Sequence, residues 1–239
     1  MTIINGNFRL IYDVVRVYLG KVLFLYITIP LMVLYVIIGL VFNPSPTTFI
    51  TGIPIPAYIH IILFAISGFR PLFPISVGMG STRIQFIKHY YLMGLGTTIA
   101  TILFLNVCQY ILMSTFDWLM GWSNIMHPAV FFLNEYQFLS FFGVDLMVGL
   151  FLFGVSFLIY CIWHRIGTVN IVLVMMALVI PIFFLYFGGM IGSWFTWMES
   201  FNFSAATIFV IFGAIGLGAL FSTYPLMRHA PLHPKAGTN

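Results

Sequence analysis

The chain has 239 residues, 62% of them hydrophobic and only 6% charged, with a mean hydropathy of +1.09, whereas soluble domains carry roughly a quarter charged residues. This excludes an ordinary soluble enzyme and predicts an all-α, polytopic membrane protein. Apolar runs of about 20 residues span a bilayer as helices, and the roughly 10-residue alternating segments of a barrel are absent. The net charge of +4 does not indicate nucleic acid, because eight of the nine Lys and Arg residues fall in loops or ends, where a membrane protein keeps them for topology.

In chain order, residues 1–21 come first. Phe8, Ile11, Val15 and Tyr18 share one helical face and Arg9, Asp13 and Arg16 another, which predicts an amphipathic interfacial helix with its basic groups among anionic head groups. Six apolar segments follow, at about 22–42, 56–79, 92–116, 137–161, 169–192 and 204–226, and they make residues 22–227 one six-helix transmembrane domain. Arg9, Arg16 and Lys21 precede span one, Arg83 and Lys88 lie between spans two and three, Arg165 lies between four and five, and Arg228 and Lys235 follow span six. The other three connections hold no Lys or Arg but do hold Asp117, Glu135 and Glu199. The positive-inside rule then puts both termini in the cytoplasm, with residues 228–239 a cytoplasmic tail. Trp118, Trp122, Trp194 and Trp197 fit interfacial belts on the opposite side. Cys108 and Cys161 fall within spans and read as packing residues.

Several chemistries are excluded. No phosphate-cradling G-x-x-x-x-G-K-[ST] run exists, so this chain does not hydrolyse ATP by itself, and no H-E-x-x-H or comparable cluster predicts a metal. The histidines are scattered, and His60, near the outer end of span two, is the one candidate for an intramembrane ligand or protease partner; one is too few for either role. Two charges lie within spans, Arg70 in the second and Asp145 in the fourth. Charges in hydrocarbon pair or face a cavity. At a rise of about 1.5 Å per residue the two differ in depth by about 8 Å, a large gap for a direct pair. A snorkelling Arg70 with a hydrogen-bonded Asp145, and a role for both in lining a substrate path, stay open together.

The connection between spans two and three is the most informative stretch. In "FRPLFPISVGMGSTRIQFIKHYYLMG" Pro71 and Pro74 bend the end of span two, and Gly78 and Gly80 let it stop. Ser81 or Thr82 can cap a new helix. Ile84, Ile87 and Tyr91 share one face of that helix while Arg83, Gln85, Lys88 and His89 present polar groups elsewhere. The spacing predicts a short amphipathic cytoplasmic helix over about 80–91, a shape suited to docking a soluble partner.

Pro74, the step Gly80, Ser81, Thr82, Arg83, and the aromatic Phe86 resemble the second inner connection of ABC transporter permeases of the type 2 exporter class, especially the small bacterial six-helix forms. The turn "YCIWHRIGTVN", with His164, Arg165 and Gly167, is similar to the inner turn before span five in that class. The resemblance implies that Gly80, Ser81, Thr82, Arg83, Ile84, Gln85, Phe86 and Lys88 form a coupling helix against an ATPase subunit, with His164, Arg165 and Gly167 a smaller second contact. It also implies a bacterial plasma membrane, two ATPase partner chains holding ATP and Mg, no cofactor in this chain, and a second copy or related permease to complete twelve spans. Spans two and five would then line the path. The many Phe and Met residues suit hydrophobic or amphipathic cargo, with an antimicrobial or toxic peptide ahead of a drug or lipid. The alternatives are a stand-alone secondary carrier using Asp145, an intramembrane enzyme, or a structural subunit of a larger complex.

Overall fold

The computed structural model describes residues 3–42, 54–120, 127–131, 136–188 and 205–232. These are helical with no strand among them, as expected where no water is present to satisfy backbone groups and each segment must bond within itself. The helices are α1 (Ile3–Val15), α2 (Ile29–Phe42), α3 (Pro54–Leu63), α4 (Phe69–Gly78), α5 (Arg83–Met120), α6 (Phe138–Ile166), α7 (Thr168–Phe187) and α8 (Ala205–Met227). Arg16–Thr28 joins α1 to α2 and Phe64–Gly68 joins α3 to α4, both wound as wider π-helix; Pro128–Phe131 is a 3-10 turn. Among the described residues, six stretches are long and apolar enough to cross a membrane: Lys21–Val41, Pro54–Gly78, Arg83–Trp118, Phe138–Ile166, Thr168–Leu185 and Ala206–Met227. The chain is a multi-pass membrane protein.

One local outcome adds to the periodicity and one differs from it. The amphipathic face of α1 is present, with Ile11 and Val15 buried, Arg9 and Asp13 exposed and Arg16 exposed just beyond its end, and its apolar side packs into the protein core, against α5 and the second span. The Phe8 ring lies 4.6 Å from the His89 ring, tilted by 49°. The expected short helix over 80–91 is not a separate element, since residues 83–91 are the first turns of the 38-residue α5. Nothing between Ile84 and Met93 breaks a helix, so the polar surface stretch and the apolar span run on as one. Trp122, Trp194, Trp197, Glu135, Glu199, His233 and Lys235 lie outside the described residues, as does the Tyr18 side chain.

The core is an aromatic block where α4, α5 and α6 meet. Phe69 sits at its centre, with ring centroids 5.0 Å from Phe73, 5.1 Å from Tyr90 and 5.1 Å from Phe157; all four are fully buried. Offset and edge-on ring contacts add to the area they bury. The Tyr90 hydroxyl donates to the Phe64 carbonyl at 2.7 Å, giving a partner to a carbonyl inside the π-wound stretch of the second span. On the other side α6 and α8 cross at glycines. A Cβ on Gly154 would come within 1.9 Å of the Gly216 carbonyl oxygen, and one on Gly216 within 2.5 Å of the Leu150 carbonyl oxygen. Small residues let backbones approach this closely, and in lipid such packing is a main source of association. The Tyr91 and Thr223 hydroxyls bond across from α5 to α8. α7 stands apart: from Val172 onward each of its described side chains is exposed.

Candidate functional site

Two constellations stand out, one at an end of the bundle and one inside it. At the end, α4 stops with the Met79 N–H donating to the Ile75 carbonyl at 3.0 Å. Gly80 then turns the chain at φ +91°, a conformation glycine adopts without the penalty other residues carry. Thr82 starts α5 through a reciprocal capping box: the Gln85 N–H donates to Thr82 Oγ1 at 3.2 Å and the Thr82 N–H to Gln85 Oε1 at 3.3 Å. Two orphan donors are thereby satisfied at once. The second turn is built alike. Gly167 takes φ +86° and donates its N–H to the Trp163 carbonyl at 2.9 Å, while Trp163 Nε1–H donates to Thr168 Oγ1 at 3.1 Å.

These turns share one end of the molecule, because the Phe73 ring lies 5.8 Å from Phe86 and 6.2 Å from His164. Arg70 joins them, its guanidinium 5.7 Å from the centre of the Trp163 ring, a cation–π distance. Thr82, Gln85, Lys88 and Arg165 are exposed there, Ile84 is exposed and Arg83 half-buried. Phe86 and His164, expected on a docking surface, are instead buried in the core, as is Ser81. Their role at this end is to hold the two turns in place.

Inside the bundle, Asp145 on α6 is fully buried and receives three donors. The Tyr58 hydroxyl from α3 donates to Oδ1 at 2.5 Å, Asn106 Nδ2–H from α5 donates to Oδ2 at 2.9 Å, and His127 Nε2 meets Oδ1 at 2.6 Å. The Ala129 N–H donates to His127 Nδ1 at 3.0 Å, so Nδ1 is an acceptor and the ring's proton is on Nε2. His127 is thus a neutral donor and Asp145 a carboxylate held by three hydrogen bonds, the arrangement that stabilises a buried charge without a cation. The His127 ring stacks on Phe141 at 4.5 Å. Tyr136 lies nearby with its hydroxyl buried and unpaired; burial, and then the negative charge of Asp145, push its phenol up to about 12. Asp145 ties α3, α5, α6 and the 127–129 turn together.

Asp145 and Arg70 do not meet, as their spacing along the helices implied. His127 escaped the sequence reading because it lies in a connection, 18 residues before its partner; a lone acid in an apolar span asks for donors but does not say which. Among the described residues no three His, Cys, Asp or Glu side chains gather as a metal site. Six stretches long and apolar enough to cross a membrane, two glycine turns that share one end and a buried carboxylate clamp define, among the described residues, a polytopic helical membrane protein. No protein-family model, curated protein or solved structure matches the chain.

Proposed function

We propose that this chain is the membrane-spanning permease of an ATP-driven ABC exporter of the type 2 class, moving hydrophobic or amphipathic cargo, a peptide in the first instance, with a separate ATPase subunit. The observation that carries this reading is the convergence of the Gly80 and Gly167 turns, far apart in sequence, at one end of the bundle with exposed Gln85, Lys88 and Arg165 beside half-buried Arg83. A cytoplasmic ATPase needs such a polar, basic platform, and the positive-inside rule favours the cytoplasm for this end. Below the platform the Phe69, Phe73, Phe86 and Phe157 block joins both turns to α4, α5 and α6, so that movement delivered to one turn reaches the spans as a packed unit. ATP drives such a cycle by binding the closed ATPase pair more tightly than the open one. The exposed length of α7 supports a second copy, or a related permease, as its neighbour.

The test is to purify the chain together with the ATP-binding-cassette subunit of its own organism. A stoichiometric complex is expected, with an ATPase rate that falls when Arg83→Glu and Lys88→Glu reverse the platform's charge, while the chain still inserts. If no ATPase subunit binds and the charge reversals leave transport unchanged, the reading fails. Transport without ATP that Asp145→Asn abolishes in a normally folded protein would instead favour a secondary carrier.

A further inference from the structure

Arg70 is the one Lys, Arg, Asp or Glu of the second span. It is exposed on the side of α4, with exposed Ile66 and Ser67 a turn before it and exposed Pro71 beside it, so in a bilayer this flank faces lipid. Arg70 stands eight residues before α4 ends at Gly78, about 12 Å by the helical rise, yet its guanidinium lies over Trp163, which is three residues, about 5 Å, from the end of α6 at Ile166. The long side chain thus carries its charge out of the body of the span toward the interface, the level that Trp favours. Trp163 is held there by its Nε1–H, which donates to Thr168 Oγ1 at 3.1 Å, and a turn before it Ile159 is exposed.

The Trp163 ring gives the guanidinium a cation–π contact only. Among the described residues no carboxylate and no hydrogen-bond acceptor pairs with it, which leaves a fork of N–H donors at the edge of the apolar belt. Water supplies acceptors there but no charge. An oxyanion supplies both, and a phosphate diester meets the planar fork with two parallel bonds. A phospholipid brings that diester to this depth and lays its acyl chains along exposed Ile66 and Ile159. The surrounding charge then selects among phospholipids. Arg9, Arg83, Lys88, Arg165 and Arg228 lie toward this end of the helices against one acid, Asp13, while Asp117 and Asp145 lie toward the other. A choline or ethanolamine head would add a cation among cations, whereas a glycerol head adds none.

We propose that the flank at Arg70 and Trp163 binds an anionic phospholipid by its phosphate, with Arg70 forked onto the phosphate oxygens and Trp163 holding the guanidinium at head-group depth. Arg70 then faces the lipid rather than a substrate path, and the site stands independently of any coupling to an ATPase.

The test uses the full-length chain in phosphatidylcholine nanodiscs holding a trace of phosphatidylglycerol with a diazirine near the top of one acyl chain, and a matched phosphatidylcholine probe, with adducts mapped by mass spectrometry. The phosphatidylglycerol probe should mark 66–71 and 159–163 about fivefold more than the phosphatidylcholine probe, the effect of one juxtamembrane basic residue. Arg70→Gln should bring the two maps together, and Arg70→Lys, which keeps the charge but loses the fork, should retain part of the difference. Arg228→Gln, a change of charge elsewhere at the same end, should leave the map as it is, and millimolar inorganic phosphate should not displace the probe. Equal maps for the two probes, a map unchanged in Arg70→Gln, or displacement by inorganic phosphate, which would make this a site for a free anion, would each overturn the proposal. The comparison of probes needs only the unaltered protein, so it decides the matter even if Arg70→Gln does not fold.

Discussion

Asp145 is the residue on which the interior depends. Replacing it with Ala leaves three buried neutral donors, from Tyr58, Asn106 and His127, with nothing to bond, so at about 1–3 kcal/mol for each orphaned donor the expected loss is at least about 3 kcal/mol. Tyr58→Phe removes one bond of three and should cost about 1–3 kcal/mol. Thermal unfolding in detergent checks both, and an Asp145→Ala protein as stable as its parent would show that the three contacts do not hold the helices. Tyr136 adds a pH dependence. Its folded phenol titrates at about 12 against an ordinary 10. The folded state therefore keeps the proton longer than the unfolded chain, and Tyr136 contributes nothing to the pH dependence below 10. Between 10 and 12 stability falls as pH rises. Tyr136→Phe should remove that part of the alkaline decline, read as the difference between the two proteins' unfolding midpoints. At this scale the sequence is half legible: a carboxylate at position 145 inside an apolar run announces a buried partner set, but its donors come from positions 58, 106 and 127, and no local spacing connects them.

Helices were easier to read than their contacts. Length and hydropathy define all six spans, and the S-T step before Arg83 identifies the start of α5, where Thr82 and Gln85 do cap each other. The short helix expected over 80–91 has no end of its own, because its amphipathic stretch and the apolar one after it are a single helix, α5. Only a backbone breaker separates helices, and none lies there. The π-wound segments left no trace in the pattern, since a widened turn shifts the apolar face by a residue without altering composition. The crossing of α6 and α8 was also hidden: glycines are visible at 154 and 216, but which helix each one meets is a tertiary fact. It makes a sharp prediction. Gly154→Ala puts a methyl into the Gly216 carbonyl and should cost at least about 1–3 kcal/mol as overpacking, whereas Gly218→Ala, with nothing within 4 Å of the new Cβ, should be harmless. Monodispersity on size exclusion and the unfolding midpoint distinguish them, and equal behaviour would refute the close crossing.

For the molecule as a whole, the alternation of basic and acidic connections fixes an expected sidedness. Cysteines introduced at Thr82 and Thr168 should react with a membrane-impermeant maleimide only after the membrane is opened, while one at Ser123 should react in intact cells. Cys108 and Cys161 are free and buried, so the background should be low. Labelling of Thr82 and Thr168 from opposite sides would contradict both the charge pattern and the shared end of the two turns. The second span joins that end to the rest. It carries Tyr58 and His60 above the π-wound Phe64–Gly68 stretch and Arg70 and the Gly80 turn below it. A widened turn holds one more residue than an α-turn. Letting it rewind as α-helix twists one half of the span against the other by about 100° and shifts it by about 1.5 Å. The Tyr90 hydroxyl is bonded to the Phe64 carbonyl within that stretch, so in Tyr90→Phe, which removes this tie, the distance between spin labels at Ile59 and Met79 should broaden or shift. A rod of fixed winding transmits only a push, but a span with one releasable turn can also transmit rotation.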